Sequence, residues 1–135
     1  MKIVLDTNCL LRAVPGKSDY HFILTALRQG SYTLCYSNEI FMEYEEMLTR
    51  FYGSRLSCNI LNFFFYSQNT LMVTPFYKWN LIFVDIDDNK FVDCALNAGA
   101  DYIVTNDKHF NILKSIDFPS IKVITIETFK SVLMS

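Results

Sequence analysis

Four acids stand apart from the other charges of this chain by where they fall. Asp6 ends the apolar run "KIVL", and Asp107 closes "IVTND" directly after a second such run. Glu43 lies one helical turn after Ile40 and one turn before Met47, at the border of an apolar stripe formed by Ile40, Tyr44, Met47, Leu48 and Phe51. Asp88 shares a helical face with Val92 and Ala95, whereas Asp93 falls about 140° round the same helix and is expected to face outward. Taken singly, an Asp after a strand or before a helix reads as a turn former or N-cap, and a Glu beside an apolar stripe reads as a solvated rim residue. Taken together they pose an electrostatic problem. Carboxylates that meet repel and raise one another's pKa unless a divalent cation holds them, and an all-oxygen ligand set suits Mg²⁺ or Mn²⁺ rather than zinc or copper.

Whether the four meet depends on the elements that carry them. "KIVL" (2–5) is a short apolar strand, and "SDYHFILTALRQG" (18–30) reads as a helix with Ser18 as N-cap and Gly30 as its stop. "YTLCYS" (32–37) has strand composition, and Ser37 caps a helix over 38–52 that ends at Gly53. A further helix is expected over 56–68, then strand-like stretches at 71–74 and 81–86 on either side of Pro75, and a helix over 88–99 closed by Gly99. The remainder reads as a strand (102–105), a short helix (107–116), a strand (122–126) and a terminal helix (127–134).

Near-continuous apolar strands alternating with helices predict an α/β fold, a three-layer α/β/α sandwich with a central, mostly parallel sheet. No repeat, low-complexity tract or Pro/Gly-rich linker divides the chain, so residues 1–135 are read as one domain. A parallel sheet gathers its loops at the carboxyl ends of its strands. Asp6 and Asp107 should emerge at that edge, and Glu43 and Asp88 face inward from their helices.

Bulk properties narrow the class. Hydrophobic residues make up 51% and charged residues 19% of the 135, with 12 Phe and 8 Tyr, a composition that packs rather than stays disordered. The formal charge of -2 supplies no general attraction for nucleic acid. No apolar window is long enough to span a bilayer, and Asp6, Asn8 and Arg12 interrupt the N-terminus too early for a secretion signal, so a cytoplasmic protein without a membrane partner is expected. Cys9, Cys35, Cys58 and Cys94 form no C-x-x-C pair, which reads as reduced thiols.

The segments that hold the acids also carry a family resemblance. "VLDTNCLL", "SNEIFMEYEEML", "DDNKFVDCALNAGADYIVTND" and the closing "KVITIETF" together resemble a PIN-domain protein of the small prokaryotic kind, over essentially the whole chain. The resemblance implies a metal-dependent ribonuclease with Asp6, Glu43, Asp88 and Asp107 as catalytic, metal-holding acids. It also implies an RNA substrate and an antitoxin protein as candidate partner. Related sequences often carry Gly where this one has Asn106 and often lack an acid at Asp93. Around the four acids, Asn8 and Thr105 are expected to hydrogen-bond ligating carboxylates, with Asn106 in the same turn. Asp85 and Asp93 are candidates for an outer, weaker metal position, and Arg12, Lys90 and Lys108 are candidate phosphate contacts, although solvated surface charge is the plainer reading for each. His109 lies near the acids in sequence and reads as a surface residue rather than a base.

Two other classes compete. Haloacid-dehalogenase-like phosphatases and receiver domains also set Asp at parallel strand ends, but the former need D-x-D after the first strand and the latter an acidic pair, and here Asp6 is followed by Thr7 and Asn8. A non-catalytic binding module whose acids only cap helices is the third reading. Finally, Phe63, Phe64 and Phe65 point in three successive directions, so at least one resists burial within a monomer, and a homodimer is a candidate.

Overall fold

The computed structural model of the protein describes residues 1–82 and 85–135. Five strands form one parallel sheet: β1 (Lys2–Leu5), β2 (Thr33–Tyr36), β3 (Thr70–Met72), β4 (Tyr102–Val104) and β5 (Val123–Ile124), in the spatial order β3-β2-β1-β4-β5. The chain therefore builds outward from β1 to one edge, then returns and builds to the other. The reversal falls between β1 and β4, where an open parallel sheet leaves a crevice at its carboxyl ends. Successive strand residues point to opposite faces, yet Ile3, Val4 and Leu5 are all at most 1% exposed, so helices cover the sheet on both sides.

The helices are α1 (Thr7–Ala13), α2 (Phe22–Arg28), α3 (Asn38–Tyr52), α4 (Ser54–Tyr66), α5 (Asn89–Ala98) and α6 (Ile126–Met134), with 3₁₀ segments at Ile86–Asp88 and Lys108–Ser115. Ser37 caps α3 by accepting from the Ile40 N–H, and Gly99 ends α5 in the left-handed region that a Cβ disfavours (φ 65°). Tyr44 fixes α3 to the sheet: its fully buried hydroxyl donates to the Leu5 carbonyl at 2.5 Å. Tyr52, two turns on, donates to the Leu11 carbonyl at 2.7 Å and ties the same helix to α1.

Several elements differ from the sequence reading. α1 was not expected; it follows β1 with only Asp6 between, so no turn residues announce it. The helix expected from Ser18 starts four residues later, because the Ser18 hydroxyl accepts from the Tyr20 N–H in a local turn and does not cap a helix. Of the strand-like stretch 81–86, residues 83 and 84 lie outside the described residues. Leu81 and Ile82 are not strand; the backbone N–H and C=O of Ile82 bond instead to the Asn89 side chain, both at 2.8 Å, and Ile86 opens a 3₁₀ turn. Phe51, assigned to the buried stripe of α3, is 60% exposed, since α4 turns away at Gly53 before it can cover the last turn.

Candidate metal centre

β1 and β4 deliver the first two acids. Asp6 keeps an extended backbone between β1 and α1, and its N–H donates to the Val104 carbonyl of β4 at 3.1 Å. Its carboxylate Oδ2 accepts a 2.7 Å hydrogen bond from Thr105 Oγ1, and the same hydroxyl accepts from the Asp107 N–H at 3.0 Å. One buried threonine thus holds both acids across the crevice. Asp107 Oδ1 accepts in turn from the His109 N–H at 2.9 Å and starts the 3₁₀ helix that follows.

The helices deliver the other two. On α3, next to the anchored Tyr44, Glu43 is half-buried; its Oε2 accepts from Thr7 Oγ1 in the first turn of α1, and its Oε1 lies 3.3 Å from Lys90 Nζ. Asp88, at the junction of the 3₁₀ turn with α5, is 8% exposed. Its Oδ2 is buried and has no hydrogen-bond partner among the described residues. His109 Nδ1 stands 3.8 Å from it, and that nitrogen lies 3.5 Å from Asp107 Oδ1.

The charges feel one another. Burial raises the Asp6 pKa above the ordinary carboxylate value, the Thr105 hydrogen bond opposes the rise, and Asp107 and Glu43 add to it. Burial pushes Asp88 up to about 7, helped by the negative charges of Asp85, Asp6 and Asp107 and eased by His109. A buried oxygen without a partner costs about 1–3 kcal/mol or more in a folded protein. A cation removes both costs, so the orphaned Asp88 oxygen, with oxygen donors on neighbouring elements, fits a divalent metal. Among the described residues it is Asp85, Asp88 and His109, and not the four acids, that bring their ligand atoms within 4.8 Å of one another. A cleft of about 200 Å³ opens beside Asp6 and Asp107, which line it with Asn8, Cys9, Arg12 and Asn106; Glu43 and Asp88 are not among its lining residues.

The surrounding residues divide. Thr105 bonds a carboxylate, as its position led us to expect; Asn8 is exposed in the cleft and makes no side-chain bond to an acid among the described residues. Asn106 does a different job: its Oδ1 accepts from the Ile126 N–H at 3.0 Å, satisfying the first N–H of α6, whose N-cap is Thr125. Asp93 was expected to face outward and to serve an outer metal position; it is buried, and its Oδ1 accepts from the Trp79 N–H at 2.9 Å, because the segment before residue 82 packs against that side of α5. Lys90 is not a solvated cation, since its Nζ spans the Asp87 carbonyl at 2.8 Å and Glu43. Arg12 lines the cleft, whereas Lys108 is exposed at the start of the 3₁₀ helix. Asp85 caps the 3₁₀ turn through the Asp87 N–H at 3.2 Å, and it joins Asp88 and His109 in a group whose ligand atoms lie within 4.8 Å of one another. Thr7 was not singled out in the sequence, and His109, read there as a surface residue, stands beside Asp88 and Asp107. The signal for Thr7 was its place directly after Asp6, on what proves to be the first helical turn.

Comparison with known proteins agrees with this frame. The PIN domain family model matches residues 2–109, and the chain belongs to that family. Among solved structures, VapBC2 from Rickettsia felis, crystallised bound to a DNA fragment from its promoter, superposes with a TM-score of 0.64 at 18% identity, covering 93% of this chain and 98% of the other. VapC20 from Mycobacterium tuberculosis, a toxin that cleaves the sarcin–ricin loop, gives a TM-score of 0.59 at 12% identity over 84% and 94% of the two chains. At these identities the likeness is one of fold. No curated protein sequence gives a significant match.

Proposed function

We propose that this single-domain, cytoplasmic protein is a metal-dependent endoribonuclease and the toxin of a toxin–antitoxin pair, with Asp6, Glu43, Asp88 and Asp107 holding Mg²⁺ or Mn²⁺. The observation that carries the proposal is the buried, unpartnered Asp88 Oδ2, in a carboxyl whose pKa is raised by burial and by the negative charges of Asp85, Asp6 and Asp107. Among the described residues no helix is long and apolar enough to cross a membrane. Membership of the PIN family supports nuclease chemistry, and the fold shared with a sarcin–ricin-loop-cleaving toxin supports RNA as substrate and an antitoxin as partner.

A divalent cation at this centre would supply an activated water and neutralise charge developing on the phosphoryl oxygens. The chain's own residues prepare the place. Thr105 orients Asp6 and fixes the turn that presents Asp107. Thr7 and Lys90 hold the two oxygens of Glu43, leaving that carboxylate in a set direction from which it can ligate or align water. Arg12 lines the cleft beside Asp6 and Asp107, where its planar fork suits a phosphate. Lys108, exposed beside Asp107, is a looser phosphate contact.

The test is cleavage of a fluorophore-quencher-labelled RNA by purified protein with Mg²⁺ or Mn²⁺, for the parent and for Asp6→Asn and Asp88→Asn. Cation-dependent cleavage that vanishes in both folded variants is the expected result. A variant that cuts as fast as the parent would remove the site assignment, and a parent that cuts no RNA with either ion would remove the nuclease.

A further inference from the structure

His109 changes the donor chemistry at one flank of the acid cluster. Its Nδ1 stands 3.8 Å from Asp88 Oδ2 and 3.5 Å from Asp107 Oδ1. Both separations exceed the roughly 2.7–3.2 Å of a hydrogen bond to nitrogen. Two donors about 2.1 Å from one ion lie roughly 3.0–3.4 Å apart at octahedral to tetrahedral angles, a little closer than the two separations found here. Asp85, Asp88 and His109 place their ligand atoms within 4.8 Å of one another. Asp88 is 8% exposed, and the oxygen it aims at His109 is buried without a hydrogen-bond partner. Lys90, the ammonium of this region, is already engaged by Glu43 and the Asp87 carbonyl.

We propose that Asp85, Asp88 and His109 form a cation position of mixed oxygen and nitrogen donors on the flank of the four-carboxylate centre, sharing Asp88 with it and selecting a divalent transition ion such as Mn²⁺ over Mg²⁺. The proposal rests on the reading of the acid cluster as a cation site. Mg²⁺ holds to oxygen donors and keeps its waters, whereas the first-row divalent transition ions, Mn²⁺ the weakest binder among them, accept an imidazole nitrogen more readily than Mg²⁺ does. A position with His109 among its ligands therefore discriminates between ions that the four carboxylates alone treat alike. His109 is partly exposed, which gives an ion and its remaining waters a path in.

The experiment is pulsed electron paramagnetic resonance of Mn²⁺ added to the metal-free full chain, with calorimetric titration of Mn²⁺ and Mg²⁺, for the parent and for His109→Gln. The expected result is ¹⁴N modulation from an imidazole ligand in the parent, lost in His109→Gln. Mn²⁺ affinity should fall about tenfold or more in the variant, with Mg²⁺ affinity changed less than about twofold. Mn²⁺ bound without ¹⁴N modulation, or modulation that survives His109→Gln, overturns the mixed-donor position and leaves the carboxylate centre standing. Failure of the parent to bind either ion overturns both readings.

Discussion

Thr105 Oγ1 donates to Asp6 Oδ2 at 2.7 Å while accepting the Asp107 N–H at 3.0 Å, so one hydroxyl sets the separation of two acids that come from different strands. The residue is 2% exposed, and neither bond has water to replace it. Replacing it with Val keeps the shape and removes both bonds. Thr105→Val should lose about 1–3 kcal/mol of stability, read as a lower urea midpoint, because a buried carboxylate oxygen and a backbone N–H lose a partner. Mn²⁺ affinity should fall about tenfold or more by calorimetry, since the bond orients a ligand. Unchanged affinity in the folded variant would show that Asp6 finds its direction without this strut.

Asp88 makes the metal-free protein sensitive to pH in an unusual direction. Its folded pKa is raised from 3.8 to about 7 by burial and neighbouring carboxylates. The folded state then holds a proton that the unfolded chain has released, so this group's contribution is fully present below pH 3.8 and is lost as pH rises to about 7. Urea unfolding in the presence of a chelator should give a higher midpoint at pH 5.5 than at pH 7.5, and Asp88→Asn should flatten that difference. Added Mn²⁺ should restore stability at pH 7.5 by mass action on the folded state. A metal-free midpoint that rises with pH, and rises equally in Asp88→Asn, would contradict the buried, repelled carboxylate.

Tyr44 places Glu43, although it touches no acid itself. Its hydroxyl reaches the Leu5 carbonyl, one residue before Asp6, so the bond sets α3 against the strand end that carries the first acid. Tyr44→Phe removes one oxygen and leaves the ring, which packs edge-on to Phe64. The expected loss is about 1–2 kcal/mol in denaturant unfolding, with weaker Mn²⁺ binding because Glu43 is less firmly held. A variant as stable as the parent would mean that packing alone seats the helix.

The strand-end places of Asp6 and Asp107 and the inward phase of Glu43 and Asp88 were legible because each signal is local. Asp6 and Asp107 end apolar runs, and the phase of Ile40 and Met47 around Glu43, or of Val92 and Ala95 behind Asp88, needs only the 3.6-residue turn. What stayed hidden depends on irregular segments. Asp93 has the phase of an outward residue, but the segment before residue 82 lies on that face and Trp79 turns its N–H to the carboxylate. Asn106 is a turn residue by sequence, and only the return of β5 and α6 beside β4 gives its oxygen the Ile126 N–H. His109 reaches Asp88 across 21 positions of chain through a 3₁₀ helix, a spacing that no periodicity encodes. Sequence patterns report which face of an element is buried; they do not report what an irregular segment brings to it.

The aromatic run of α4 offers a contrast within three residues. Phe64 is fully buried and meets the Tyr44 ring with centroids 6.2 Å apart, while Phe65 is 66% exposed and stacks edge-on with the exposed Tyr66. Phe64→Ala removes a ring from the core and should cost about 3–5 kcal/mol. Phe65→Ser removes a ring that water already reaches and should change the stability of a monomer by about 0.5 kcal/mol or less. Urea midpoints of the two variants at several protein concentrations test both statements. If Phe65 is instead covered by a second copy of the chain, Phe65→Ser will lower the midpoint more at high concentration than at low, and light scattering will show the parent to be the heavier species.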